Sequence, residues 1–217
     1  MTPLLIDYIG VFVPHLYHAG LQIVRKSSFT AAPWKNGGGI THEAIRVPAG
    51  GESFRWRVSV AHIDASGPFS DFAAYNRKMV LLRGAGLALK FVGGQQTVLR
   101  QIGDLTEFDG AASIYCELLN GPCVDLNLMV AKSARAEVRV EQVAQALVVR
   151  VSPLESTLIF SIEDPLLLTS DAGETQTLEP WDLAVLAQCG ARISKPAPAN
   201  LSAPSAVFFA TISDQYE

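Results

Sequence analysis

Ten short runs of β-branched, aromatic and aliphatic residues succeed one another along the chain, at 54–63, 79–82, 87–92, 114–119, 124–130, 147–151, 157–162, 166–168, 183–187 and 206–212. Gly, Pro, Asp or Asn punctuates nearly all of them, so the backbone turns before a run reaches helical length. Many short strands at this spacing predict an all-β sandwich or barrel. Only residues 131–146 have helical composition, and their Val-rich second half reads equally well as a strand. Apolar residues make up 49 % of the 217 and charged residues 18 %. That balance excludes a disordered chain, a coiled coil and an acidic tail. A chain of this length buries a core without staples, as one medium domain or two fused small ones.

A repeat inside the chain narrows the choice. Leu87-Ala88-Leu89 is followed ten residues later by Leu99 and then by Gly103-Asp104. Leu166-Leu167-Leu168 is followed ten residues later by Leu178 and then by Trp181-Asp182. The offset is 79 for the leucines (87 to 166) and 78 for the aspartates (104 to 182). Each copy predicts a strand, a turn, a second strand, an Asp-containing turn and a third strand from Leu105 or Leu183. Two readings stand: chance likeness between hairpins, or two copies of one small β-barrel.

Several functions are excluded on the same residues. A net charge of −4 gives no broad basic face for nucleic acid. No run approaches the roughly 18 apolar residues of a membrane helix. Residues 1–20 carry Asp7, no Lys or Arg, and Pro14 within their apolar run, which is unlike a secretory leader. They are expected to be an N-terminal extension, an extra strand or a start assigned too far upstream. Cys116, Cys123 and Cys189 form no CxxC and read as buried free thiols in a reducing, cytoplasmic setting. There is no phosphate loop and no G-x-S-x-G elbow, and Gly84-Ala85-Gly86 reads as a turn between strands. The four histidines form neither H-x-H nor H-E-x-x-H, so no metal site is expected.

The densest polar cluster is Pro33-Trp34-Lys35-Asn36-Gly37-Gly38-Gly39-Ile40-Thr41-His42-Glu43. Its glycines suit either a hairpin turn or an anion-binding nest of backbone N–H groups. Two strands add to it. Alternation puts Arg57 and Ser59 on one face of 56–61, opposite Trp56, Val58 and Val60. It likewise puts Asp125, Asn127 and Met129 opposite Val124, Leu126, Leu128 and Val130. Such polar faces line a pocket or face solvent. Between them, an aromatic loop with Phe69 leads to Arg77, a side chain suited to bidentate pairing with a carboxylate.

Together these segments resemble the HutD/Ves family. The matching words are PWKNGGGITHEA (33–44), RWRVSVAHIDASGPFSDFAAYNR (55–77), LLRGAGLAL (81–89) and GPCVDLNLM (121–129). They run in the family's order over residues 21 to about 130, and Ala73-Ala74 replaces the family's usual Pro-Gly. The resemblance implies a bicupin, two cupin-type, jelly-roll-like β-barrels in one chain, with no cupin metal and no other cofactor. The expected division is 1–20 as extension, 21–135 as the barrel with the pocket and 136–217 as a second barrel packed on the first. The resemblance also implies a small-molecule binder associated with histidine utilisation or, in the Ves branch, with stress response. The ligand implied is a small carboxylate such as urocanate or a formylated glutamate, in a regulatory or buffering role.

On that basis Arg77 is the expected carboxylate anchor. Arg57, Ser59, Asn36, Thr41 and Glu43 would supply directional hydrogen bonds, with Lys35 beside them. Asp125 and Asn127 would hold the arginines or touch the ligand, and Trp34, Trp56, Phe69 and Met129 would form walls or core. An enzyme of the same fold is the alternative, a metal-free isomerase, epimerase or hydrolase with Glu43 as base and His42 or Lys35 as acid. A third reading makes these residues an interface with another protein or a second copy in a homodimer.

Overall fold

The structure, a computed structural model, describes residues 20–51, 53–196 and 204–214. The first half of the chain supplies β1 (Gly20–Val24), β2 (Thr30–Pro33), β3 (Gly39–Val47), β4 (Trp56–Ile63), β5 (Gly67–Pro68), β6 (Tyr75–Arg83), β7 (Leu87–Phe91), β8 (Gln96–Leu99), β9 (Leu105–Asp109), β10 (Ile114–Leu118) and β11 (Cys123–Ala131). The second supplies β12 (Ala134–Val143), β13 (Leu147–Val149), β14 (Glu155–Ser161), β15 (Leu166–Ser170), β16 (Thr175–Leu178), β17 (Leu183–Ala187), β18 (Ala191–Ser194) and β19 (Ser205–Asp214). One 3-10 turn at Lys26–Ser28 is the remaining regular element among the described residues. The all-β expectation holds, and the ambiguous stretch at 131–146 is a strand. Its alternating Ala134, Ala136, Val138 and Val140 turn toward the core between the halves while Arg135, Glu137 and Arg139 face outward, which suits a period of two.

Four antiparallel sheets result. The first half builds a six-stranded sheet in the order β2-β3-β4-β11-β6-β9 and a four-stranded sheet β5-β10-β7-β8. The second builds β1-β17-β14-β19-β12 and β13-β18-β15-β16. The apolar clusters show how they stack. Val58, Val60, Leu126 and Leu128 of the six-stranded sheet pack with Leu158, Phe160, Val185 and Phe208 of the five-stranded sheet. On its other face the six-stranded sheet sets Ile63, Met79 and Leu81 against Leu87, Leu89 and Cys116 of its four-stranded partner. In the second half Ile159, Leu186 and Phe209 meet Leu166, Leu168 and Ile193 in the same way. The apolar faces of β4 and β11 therefore join the two halves. Their polar faces point into the first half.

The sequence repeat is a repeat of hairpins. Leu87 pairs with Leu99 in β7–β8, and Leu166 pairs with Leu178 in β15–β16, the same register in both copies. The repeated aspartates do the same work: Asp104 accepts from the N–H groups of Arg100 and Gln101, and Asp182 from that of Glu179.

One boundary differs from expectation. Residues 1–19 lie outside the described residues, but Gly20–Val24 does not open the first half; it pairs antiparallel with β17 as an edge of the five-stranded sheet. The cause is partly apolar, since Leu21 and Ile23 pack on the second half's core. It is partly polar: buried Asp182 pairs with Arg25 at 2.8 Å and accepts from the Lys26 N–H at 2.8 Å. Asp182→Ala would leave these donors without their acceptor, at about 2–3 kcal/mol. For a chain of this size that lowers Tm by roughly 5–10 °C. An unshifted melting curve would show that this clasp does not hold the first strand.

Candidate functional site

The register of the six-stranded sheet assembles the polar residues into rows. Glu43 stands opposite Ser59, and Ser59 opposite Asn127. Thr41 stands opposite Ala61, and Ala61 opposite Asp125. Met129 lies between Arg57 on β4 and Arg77 on β6, and Arg77 faces Phe108 on β9. Side chains two residues apart on a strand share a face. Thr41, Glu43, Arg57, Ser59, Arg77, Asp125, Asn127 and Met129 therefore all line one side of one sheet.

Arg77 is the centre of this face. It is 6 % exposed, and three rings surround its guanidinium, with centroids 5.2 Å (Phe69), 5.6 Å (Phe72) and 5.0 Å (Phe108) away. Its Nε has no hydrogen-bond partner. Burial lowers its pKa to about 10, against the raising effect of Asp125. Asp125 is 1 % exposed, and burial pushes its carboxyl up to about 7, with Arg77 opposing. Arg57 sits over Phe54 and Phe72 at 5.3 and 5.5 Å and donates a 3.5 Å contact to the Met129 sulfur. Its Nε forms a long ion pair with Glu43 at 3.8 Å but makes no hydrogen bond. Burial lowers the Arg57 pKa, partly offset by Glu43. The third orphan is Asn127 Oδ1. An unmet buried polar group costs about 1–3 kcal/mol, more when charged. Cation–π contacts return part of this, at about 0.5–2 kcal/mol each. The face thus presents two donors on cations and one acceptor, none of them hydrogen-bonded within the protein.

Other expected residues have different duties. Trp34 donates from Nε1 to Thr41 Oγ1 at 2.8 Å and meets Phe69 edge-on, closing one end of the face. The glycine cluster is a hairpin turn between β2 and β3, and the Gly38 N–H is taken by Asn36 Oδ1. No free nest of N–H groups forms there. Lys35 and Asn36 stay exposed in that turn, and no contact brings them to the arginines. Trp56 lies on the opposite face, in the core between the halves. The acid–base pairing is not assembled either. Glu43 shares the arginine face, whereas His42 stands opposite Val60 on the other and rests 5.2 Å from the His62 ring. Glu43 is instead held by Arg46, at 2.8 Å.

Four contributors escaped sequence reasoning: Arg46, Phe54, Phe72 and Phe108. Phe72 was visible in the aromatic loop beside Phe69; Phe108 needed the β6–β9 pairing. Burial raises all three thiol pKa values, that of Cys116 to about 12, as suits inert core cysteines. Among the described residues no group of three His, Cys, Asp or Glu is placed to hold a metal. No helix among them is long and apolar enough to cross a membrane. An open cleft of about 470 Å³ between Pro68, Asp71, Lys90 and Tyr115 shares Phe69 with the rings around Arg77, but the arginines do not line it.

A family model described as HutD matches residues 26–203, or 178 of the 217. The chain belongs to the HutD family. It is 41 % identical over 112 residues to an uncharacterized 21.2 kDa protein of the hutC 3' region of Pseudomonas putida, covering 51 % of this chain and 58 % of that one. It is 34 % identical over 109 residues to protein Ves of Citrobacter koseri, covering 49 % and 56 %. Both matches span little more than half the length of these relatives. Among solved structures, a conserved protein of unknown function from Pseudomonas aeruginosa PAO1 superposes with a TM-score of 0.79 at 28 % identity, over 90 % of this chain and all of that one. HutD from Pseudomonas fluorescens SBW25, solved in a formate condition, gives 0.74 at 27 %, over 91 % and 100 %. Oxalate decarboxylase of Lactobacillus farciminis, at 10 % identity and a TM-score of 0.63 over 94 % and 89 %, shares the fold.

Proposed function

We propose that this HutD-family protein binds a small carboxylate metabolite on the arginine face of its six-stranded sheet. The observation that carries this is the set of three buried atoms on that face that make no hydrogen bond, Arg57 Nε, Arg77 Nε and Asn127 Oδ1. A carboxylate satisfies the two cations, and an N–H or O–H on the same ligand satisfies the amide oxygen. Urocanate and N-formylglutamate both carry that combination. The protein acts in the cytoplasm without a metal or other cofactor, as a sensor or buffer of such an acid in histidine utilisation or stress response. The two halves are two cupin-type barrels of a bicupin. The matched hairpins, the paired sheets in each half and the cupin-like neighbours support that reading.

Isothermal calorimetry with urocanate, N-formylglutamate and formate tests the proposal. The intact protein should bind at least one of the larger acids more tightly than formate. Arg77→Ala should weaken that binding by about 10- to 100-fold, the worth of a charge-assisted hydrogen bond. Equal affinity in the variant refutes the site.

A further inference from the structure

The strand β12 is an edge with unusual properties. It runs ten residues, all paired in unbroken register with β19 on one side, whereas strands commonly span about 5–6. Its other side forms no backbone hydrogen bond with any described residue. Exposed edges are usually blunted by proline, lysine, a bulge or shortness. The sequence ARAEVRVEQV has neither proline nor lysine, and the pairing has no bulge.

What it has is self-complementarity. Arg135, Glu137, Arg139 and Glu141 share one face, and Ala136, Val138 and Val140 share the other, half-buried against the core between the halves. A second copy related by a twofold axis pairs antiparallel, so that paired positions sum to a constant and like faces align. With the axis on Val138 the sum is 276. Arg135 then faces Glu141, Glu137 faces Arg139, Ala136 faces Val140 and Val138 faces itself. Moving the axis by one residue either way reverses this. On 137, Glu137 faces Glu137 and Arg135 faces Arg139; on 139, Arg139 faces Arg139 and Glu137 faces Glu141. Like charges directly opposite are unfavourable; axes on 136 or 140 oppose only one Arg–Glu combination each, whereas the axis on Val138 pairs all four charged residues with opposite charges, so the pattern favours that register. The in-strand pairs Arg135–Glu137 and Arg139–Glu141 already hold the charges in alternating order.

We propose that two copies of this chain dimerise through β12, edge to edge and centred on Val138, making one continuous ten-stranded sheet from the two five-stranded ones. Sedimentation equilibrium on the full chain tests it. The wild type is expected to be a dimer whose dissociation constant rises with ionic strength. Glu137→Arg and Arg139→Glu, each alone, place like charges opposite one another twice per dimer. Each should weaken association by at least about tenfold. In an equimolar mixture of the two variants, one chain is basic at both positions and its partner acidic at both. Opposite charges then face each other again across the axis, and the mixture should regain wild-type affinity within about threefold. Thermal melts of each variant establish that both fold. A wild type that stays monomeric, variants that dimerise unchanged, or a mixture that does not recover each overturns the proposal.

Discussion

Anion binding at Arg77 is expected to take up roughly half a proton or more at pH 8 and almost none at pH 5. The proton goes to Asp125. In the free protein this buried carboxyl has a pKa of about 7, because burial opposes its ionisation more than Arg77 favours it. A carboxylate ligand claims part of the Arg77 charge and adds a second negative charge nearby. Both effects raise the Asp125 pKa further. At pH 5 Asp125 is protonated with or without ligand, so no proton moves. At pH 8 it is largely ionised when free and must gain a proton to admit the ligand. Affinity should therefore be flat below pH 6 and fall by up to about tenfold per unit above pH 7. Calorimetry in buffers of different ionisation enthalpy reads the proton directly. Asp125→Asn should remove both the uptake and the pH dependence. A wild type with pH-independent affinity from 5 to 8 would dismiss Asp125 as the coupled group.

The same shift bears on folding, and its sign follows from the direction. Asp125 has a folded pKa of about 7, above its ordinary value of 3.8. Its contribution is fully present below the ordinary value and is lost as pH rises through 7, by on the order of 4 kcal/mol. The urea midpoint of the unliganded protein should decline between about pH 4 and 7 and level off above, and Asp125→Asn should flatten that decline.

Much of the site was legible because strands alternate. Arg57 with Ser59, and Asp125 with Asn127 and Met129, are assigned to shared faces by period two alone, and the register places both sets on one side of one sheet. Alternation does not say what the opposite face meets. Val58, Val60, Leu126 and Leu128 pack on the other half of the chain, a contact that joins residues far apart in sequence. The first strand was illegible for a related reason. Nothing local in Gly20–Val24 points to β17, and the carboxylate that fixes its end, Asp182, is 157 residues from Arg25. The hairpin repeat was legible because each copy is closed by local pairing, Leu87 with Leu99 and Leu166 with Leu178. Lys35 and Asn36 were misplaced because neighbours in sequence need not share a surface when a turn falls between them.

That turn carries the largest expected effect of a single substitution on stability, and its three glycines are not equivalent. A Cβ on Gly39 would sit 2.2 Å from the carbonyl oxygen of His62 and 3.3 Å from the Trp34 ring. The first obstacle is backbone in the adjacent strand β4, so it cannot rotate away. Gly39→Ala must push β3 off β4 at the end where Thr41 and Trp34 close the arginine face. A cost of about 3 kcal/mol or more is expected, in the range reserved for broken packing of the backbone itself. At roughly 2–4 °C per kcal/mol, Tm should drop by on the order of 10 °C. Gly37 has open space around it but a φ of +70°, so Gly37→Ala should lose only about 1–2 kcal/mol, the cost of a side chain in the left-handed region. A Cβ on Gly38 would meet only the Asn36 side chain, at 3.4 Å, so Gly38→Ala should be nearly neutral. Urea unfolding of the three variants should rank Gly39→Ala far below Gly37→Ala, and Gly37→Ala below Gly38→Ala. Equal midpoints for the Gly39 and Gly38 variants would mean that β3 and β4 are not in contact at His62. Because the same step displaces Thr41 and Trp34, any Gly39→Ala protein that still folds should also bind its acid more weakly, with Arg77 untouched.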